Sequence, residues 1–228
     1  MLTAIIVAGG SSRRMGFDKT FASLADKPVF AHTVAVFEKA SCVEKIIIVG
    51  RAERLSELRE RLAQERFTKV QHVIPGGTHR QDSVAAGLSA LEADCEYVAV
   101  HDAARPFVTP ERIERVFDAA RAHGAAALAA PVTDTLKRSN ADHFVSGSID
   151  REGVYTMQTP QIFARGLLEE AYALVTRDQL AITDEVSAFE HLGRAVILVP
   201  NDEPNPKITF PADLALAESI LASREPAR

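Results

Sequence analysis

The chain has no tryptophan, only two cysteines in 228 residues, and 6% aromatic residues. Cys42 and Cys95 lie far apart, so neither a CxxC redox pair nor a zinc-ligand spacing is available. Two reduced thiols of a cytosolic protein are the simple reading. A one-sided charge is missing as well. Lysine plus arginine number 26 and aspartate plus glutamate 31, a formal net charge of −5. That balance argues against a general binder of nucleic acid or of an anionic membrane surface, although basic side chains can still gather locally. No apolar run approaches the roughly 20 residues of a membrane span. The opening MLTAIIVAGG is apolar, but it meets Gly9-Gly10 early and carries neither a basic leader nor a small-residue cleavage pattern. Repeats, low-complexity tracts and linkers are also lacking. A chain that is 46% hydrophobic and 25% charged has the balance of an ordinary globular protein, not of a disordered one. At about 150 residues per domain the length allows one large α/β domain or two small ones. A cytoplasmic location is expected.

Strand-like and helix-like segments alternate. Residues 2–7 are a short apolar run closed by Ala8-Gly9-Gly10, too short for a helix and suited to a strand buried on both faces. A helix over 28–39, a strand over 45–49 and a helix striped by Leu55, Leu58 and Leu62 follow. Next come a strand over 70–74, a helix striped by Val84, Leu88 and Leu91, and a strand over 97–100. Thr109-Pro110-Glu111 is a helix start: an N-cap, a residue preorganised for the first turn, and an acid near the positive end. Residues 125–130 read as a buried strand, although their alanines would also suit a helix. Further helices near 164–175 and 184–192, a strand over 195–199 and a helix after Pro211 complete the pattern. Such alternation predicts a mostly parallel sheet covered by helices on both faces. The stretch 132–154, rich in Thr, Asp, Ser, Asn and Gly, breaks the rhythm and reads as a protruding arm or hairpin, or else a surface loop. One domain, 1–228, with this excursion fits better than two.

Three motifs follow strands. The first is Ala8-Gly9-Gly10-Ser11-Ser12-Arg13-Arg14-Met15-Gly16, with Lys19 shortly after. In open parallel sheets the ligand crevice lies beyond the carboxyl ends of the strands. Glycines admit a ligand close to the backbone and turn N–H groups towards an anion. The spacing fits neither a Walker loop nor a GxGxxG fingerprint. A bare turn needs no ligand. Two serines, two arginines and a lysine beside it are harder to explain as packing, so a polyphosphate site is expected with Arg14 and Lys19 as its cations. The second motif, Gly76-Gly77-Thr78-His79-Arg80-Gln81-Asp82-Ser83, leaves two readings open. Asp82 or Ser83 caps the next helix with Arg80 in solvent, or the loop lines a nucleobase pocket. The third, Val100-His101-Asp102-Ala103-Ala104-Arg105-Pro106, puts an acid at the end of a buried strand, where it is costly unless paired or metal-bound. One carboxylate suffices for a magnesium–triphosphate site; the alternative is an ion pair with Arg105. His101 has no second ligand at metal spacing and reads as structural. Thr133 to Lys137, Asp150-Arg151, Thr183-Asp184-Glu185 and Lys207-Ile208-Thr209 are polar islands, each by itself a surface feature, with Thr183 a possible N-cap.

Together these stretches resemble the 2-C-methyl-D-erythritol 4-phosphate cytidylyltransferase family. AGGSSRRMG, GGTHRQDSV, VHDAARP, APVTDTLKR, DREGVY, TPQIF, ITDEVSA and PKITFPADLALAE occur in family order, nearly end to end. VHDAARP with TDTLKR is specific; AGGxxxRMGxDK is shared by the wider nucleotidyltransferase superfamily. The resemblance implies a Rossmann-like domain whose arm, about 132–154, hooks around a partner in a homodimer. It implies Mg²⁺ as cofactor, with CTP and 2-C-methyl-D-erythritol 4-phosphate as substrates. By the same resemblance Ala8, Gly9 and Gly10 line the nucleotide, Arg14 and Lys19 hold the triphosphate, and Gly77, Arg80 and Ser83 lie on the cytidine side. Asp102 would hold the metal, and Arg105, Thr183 and Lys207 the methylerythritol phosphate. Thr135 and Arg151 on the arm would reach the neighbouring subunit's site. The chain departs from the usual family pattern at Asp18-Lys19-Thr20, at Thr78 and at Asn205-Pro206. Rival readings are a ribitol-5-phosphate cytidylyltransferase, a molybdenum-cofactor guanylyltransferase and a non-catalytic nucleotide-binding protein.

Overall fold

A computed structural model describes residues 1–10 and 18–224. Arg14 lies outside the described residues. In chain order the elements are β1 (Leu2–Ala8), β2 (Ser23–Leu24), β3 (Lys27–Pro28), α1 (Val29–Lys39), β4 (Val43–Gly50), α2 (Leu55–Glu65), β5 (Val70–Pro75), α3 (Arg80–Ser89) and β6 (Tyr97–Asp102). They continue with α4 (Pro110–His123), β7 (Ala125–Pro131), β8 (Leu136–Ser139), β9 (Val145–Ile149), β10 (Tyr155–Ala164), α5 (Arg165–Arg177), α6 (Glu185–Leu192), β11 (Ile197–Pro200) and α7 (Ala212–Arg224). A short 3₁₀ turn, Ala52–Arg54, precedes α2.

Seven strands form one sheet in the order β11-β7-β10-β6-β1-β4-β5. β1 pairs in parallel with β4 on one side and β6 on the other, with Ile5 opposite both Ile47 and Val100. The chain therefore winds outward from β1 in both directions. The carboxyl ends of β1 and β6 flank the point where the winding reverses, the place where such sheets open a crevice. The expected mostly parallel α/β sheet is the one observed.

Alternation along β1 decides which helix goes where. Leu2, Ala4 and Ile6 join α1, α2 and α4 through Phe30, Phe37, Leu58 and Ile113. Ile5 joins α3, α5 and α6 through Val84, Leu168 and Phe189 on the other face. Each fully buried side chain of this size contributes roughly 1.5–3 kcal/mol, so a one-residue slip of β1 would exchange its two apolar faces. α3 presses closely on β1: a Cβ at Gly87 would stand 2.6 Å from Ile5 Cγ2. Local signals hold where tertiary structure agrees with them. Thr109 Oγ1 accepts from the Arg112 amide at 3.4 Å, and Gly124 ends α4 at φ 83°. The alanines of β7 form a strand because the sheet claims them between β10 and β11, overriding their helix preference.

β10 is a sheet strand that its sequence hides. It runs antiparallel to both neighbours, and Gln158, Thr159 and Pro160 stand opposite the single residue Leu128 of β7. Proline and polar residues in a central strand argue against a strand assignment. Here they fall at a break in the ladder, where no pairing is required of them. The excursion is a hairpin of β8 and β9, paired from Leu136 opposite Ile149 to Ser139 opposite Val145. Phe144 and Val145 at its turn are 72% and 70% exposed. No helix among the described residues is long and apolar enough to cross a membrane.

Candidate active site

Two adjoining cavities open at the carboxyl edge of β1 and β6. The larger, about 540 Å³, is walled by Gly9, Gly10 and Lys19 beyond β1, by Gly77, Arg80 and Ser83 at the start of α3, and by Asp102 and Lys207. The smaller, about 340 Å³, shares Arg80, Asp102 and Lys207 and adds Arg105, Gln158, Thr159 and Thr183. The structure thus gathers Gly9, Gly10, Lys19, Gly77, Arg80, Ser83, Asp102, Arg105, Thr183 and Lys207 around one rim. Ala8 is buried at the end of β1, just behind it. Thr135 and Arg151 line neither cavity. They sit on the hairpin, exposed, where Arg151 donates to the carbonyl oxygen of Thr133.

Backbone shape builds the larger cavity. A Cβ on Gly77 would collide with Asp82, so only glycine lets this loop fold back on α3. Of the two candidate caps of α3, Asp82 takes part from inside the helix and Ser83 does not. His79 is the N-cap, and Asp82, at the third helical position, accepts from the His79 amide at 2.8 Å in a capping box. Ser83 instead points its hydroxyl towards Gly9 and Gly76, where their missing Cβ atoms leave room. Lys19 lies along Gly10, whose Cβ would be 3.9 Å from Lys19 Cε. Its acidic neighbour Asp18 is taken by the Arg51 guanidinium and by the Thr20 amide, so that charge is spent away from the cavity.

Charge shapes the smaller cavity. Asp102 Oδ1 accepts from Arg80 Nε at 3.0 Å and Oδ2 from Lys207 Nζ at 2.6 Å. Arg105 Nε stands 4.0 Å from Oδ2. Asp102 therefore pairs chiefly with Arg80 and Lys207, not with Arg105. Burial alone would raise the Asp102 carboxyl, but Arg80, Lys207 and Arg105 outweigh it and hold it far below the usual carboxylate range. It is an anion throughout the neutral range. Arg105 donates to the carbonyls of Asn205 at 2.9 Å and Met157 at 3.3 Å, while its buried Nε–H has no hydrogen-bond acceptor. Burial lowers its basicity, partly offset by Asp102.

The hidden strand supplies the floor. Thr159 Oγ1 accepts from the Asp102 amide at 3.2 Å. Gln158 Oε1 accepts from both Asn201 and Asn205 at 3.0 Å, tying β10 to the segment that leads to Lys207. Pro206 leaves Lys207 within reach of Asp102. The ladder break in β10 is what turns these side chains towards the site.

Several residues escaped the sequence reading. Glu185 is fully buried and takes both Nη atoms of Arg80, at 2.7 and 3.0 Å. Tyr172 OH donates to the same carboxylate at 2.9 Å; burial and this neighbour push its phenol well up, so it stays protonated. The one available signal is that Glu185 falls on the buried stripe of α6 with Ala188 and Phe189. Thr183 is not the N-cap of α6. Asp184 is, accepting from the Ser187 amide at 3.0 Å, which leaves the Thr183 side chain on the cavity wall. His101 is structural as expected: it is buried against Phe37 with Nε2 3.0 Å from the Arg105 carbonyl, and burial pushes it down to about 4. Burial raises the Cys42 thiol to about 11, far from nucleophilic.

This rim has counterparts in known proteins. The model of the 2-C-methyl-D-erythritol 4-phosphate cytidylyltransferase family matches residues 2–223. The chain belongs to this family. A cytidylyltransferase of that name from Dehalococcoides mccartyi (strain CBDB1) is 40% identical over 219 residues, covering 96% of this chain and 95% of that protein. One from Halalkalibacterium halodurans is 38% identical, covering 98% of each. Among solved structures, the 4-diphosphocytidyl-2C-methyl-D-erythritol synthase of Anaerococcus prevotii is similar with a TM-score of 0.87 at 29% identity, covering 97% of this chain and 96% of that one. The cytidylyltransferase of Thermus thermophilus gives 0.79 at 30% identity, covering 96% and 98%. As a member of the cytidylyltransferase family, the chain is a nucleotidyltransferase.

Proposed function

We propose that the chain, acting as one catalytic domain, transfers CMP from CTP to 2-C-methyl-D-erythritol 4-phosphate, releasing pyrophosphate in isoprenoid biosynthesis. The observation that carries this reading is the pair of adjoining cavities sharing Arg80, Asp102 and Lys207. One is lined by glycines as a nucleotide pocket is; the other is lined by cations and polar side chains. A phosphate oxygen of the sugar alcohol attacks the α-phosphorus of CTP. The bond from that phosphorus to the bridging oxygen breaks, and pyrophosphate leaves with its electron pair. A phosphate monoester is largely dianionic at neutral pH, since its second pKa is about 6. It needs no general base, and His101 is not placed to act as one. The obstacle is repulsion between two polyanions, so positioning and charge neutralisation carry the catalysis.

Lys19, with Arg14 from the same loop, stabilises charge on the triphosphate and the departing pyrophosphate. Gly9, Gly10, Gly77 and Ser83 let the nucleotide lie against the backbone. Arg105, Thr183 and Lys207 hold the attacking phosphate. The reading places Arg80 beside the cytidine pocket, where it also braces Asp102.

A divalent cation, Mg²⁺ in this proposal, fits the donor chemistry. Asp102 offers a hard, fully ionised carboxylate with about four lone-pair sites, two of which take hydrogen bonds from Arg80 and Lys207. No cluster of three or more His, Cys, Asp or Glu among the described residues could hold a metal alone, so phosphate and water oxygens would complete the shell. Bound there, the ion supplies phosphate charge neutralisation and orientation of the α-phosphorus.

The hairpin acts as a dimerisation arm. Its exposed Phe144 and Val145 give it an apolar end to bury, and it carries Thr135 and Arg151 to the substrate phosphate in a second copy's site. Two unpaired cysteines are in keeping with a cytoplasmic enzyme. Pyrophosphate release tests the whole reading. CTP with 2-C-methyl-D-erythritol 4-phosphate and Mg²⁺ is the expected productive mixture among four nucleoside triphosphates and a panel of polyol phosphates. Faster turnover with ribitol 5-phosphate, or with GTP, would replace it by one of the rival transferases.

A further inference from the structure

We propose that Glu185 is a positioning residue for the transfer, acting through Arg80 on Asp102. The proposal rests on the cytidylyl-transfer reading above.

The geometry is specific. A guanidinium presents a fork of two Nη atoms and, to one side, its Nε. The fork is the strong, bidentate end. In this site the fork goes to Glu185, which touches neither cavity, and only the Nε–H reaches Asp102. Without Glu185 the fork would be free to close on Asp102, covering both of its oxygens and competing with Lys207 and with any cation for the same lone pairs. Glu185 thus keeps Arg80 side-on, so that each Asp102 oxygen retains an open lone pair towards the cavities.

The brace is itself fixed. Tyr172 OH donates to Oε1 of Glu185 at 2.9 Å. The Glu185 amide donates to Gln161 Oε1 at 3.1 Å, and Gln161 Nε2 donates to Asp184 Oδ2 at 2.9 Å. A fully buried carboxylate is expensive unless it is paired and hydrogen-bonded. This one is satisfied at every contact, so the charge is held in one place. It also joins the start of α3, which bears the nucleotide loop, to the start of α6, which bears Thr183. One salt bridge therefore ties together the walls of the two cavities.

Glu185→Gln and Tyr172→Phe test this by steady-state pyrophosphate release, with circular dichroism to verify the fold. Glu185→Gln should lower kcat roughly 10- to 100-fold, the scale of a lost charged hydrogen bond, while KM for CTP changes less than about threefold. Tyr172→Phe should lower kcat roughly three- to tenfold, and it serves alone if Glu185→Gln does not fold. A merely structural role would move stability without this split between kcat and KM. In an Arg80→Met background the Glu185→Gln loss should largely vanish, because the pathway is already cut. Losses that multiply in the double variant would overturn the proposal. So would folded single variants with kcat within twofold of wild type. An inactive wild-type enzyme would instead sink the transfer reading, which keeps the two failures apart.

Discussion

The rim at β1 and β6 and the β8–β9 hairpin are built on opposite principles. At the rim nearly every charged group is answered within the chain: Asp102 by Arg80 and Lys207, Arg80 by Glu185, Glu185 by Tyr172. The hairpin has almost nothing beneath it. Its apolar turn faces solvent, and Arg151 donates to a backbone carbonyl of the hairpin itself. A cluster of charges in a crevice must be paired in advance, since misplaced ions there cost several kcal/mol. In the proposed dimer, the hairpin's contacts would be made only by the second copy.

That contrast can be broken or sharpened by experiment. The largest effect is expected at the rim: Arg14→Ala or Lys19→Ala should lower kcat roughly 10²- to 10³-fold, the scale of losing one preorganised donor to a transition-state anion. A loss below tenfold in either would remove that residue from the catalytic machinery. Next comes rim stability. The His101 imidazole lies at about 4 in the folded chain, against roughly 6.5 when unfolded. Unfolding therefore takes up a proton between those values. The His101 contribution to stability is intact above about pH 6.5, falls as pH drops towards 4, and is exhausted below, about 3 kcal/mol in all. Urea titrations across this window should show the slope in wild type and a much flatter one in His101→Phe.

The arm should behave differently. Arg151→Ala should raise KM for the sugar phosphate roughly tenfold with little change in kcat. Mixed dimers of Arg151→Ala with Arg14→Ala would concentrate both lesions in one site and leave the other whole, retaining about half of wild-type activity. Heterodimers whose KM for the sugar phosphate is raised about tenfold, as in Arg151→Ala alone, would contradict sharing across subunits. The smallest effect on folding is expected at the hairpin turn. Phe144→Ser should shift Tm by no more than about 2 °C, while weakening self-association roughly tenfold. An unchanged dimer dissociation constant would take the turn out of the interface.

Much of this site was legible in the letters. Glycine pairs after apolar runs marked the loops beyond β1 and β5, and an acid closing a buried run marked Asp102. Those signals are local: a strand end, a turn and a charge within ten residues. β10 was not legible, because Gln158, Thr159 and Pro160 suppress the strand pattern and only the neighbouring strands reveal the ladder break that excuses them. Glu185 was not legible either. An acid just after an N-cap looks like a solvated helix-dipole residue, and its partner Arg80 is 105 residues away. The place of Glu185 on the buried stripe with Ala188 and Phe189 hints at burial, but nothing in the spacing names the partner.

The reversed direction of β10 has a mechanical side. Because it runs against its neighbours, its first half, not its last, stands at the edge that bears the candidate site. The peptide leaving β9 reaches Met157, Gln158 and Thr159 within ten residues, with only a short turn between. Hairpin and cavity floor thus lie on one continuous stretch of chain, so a partner that held the hairpin would also hold one end of the strand that floors the cavity.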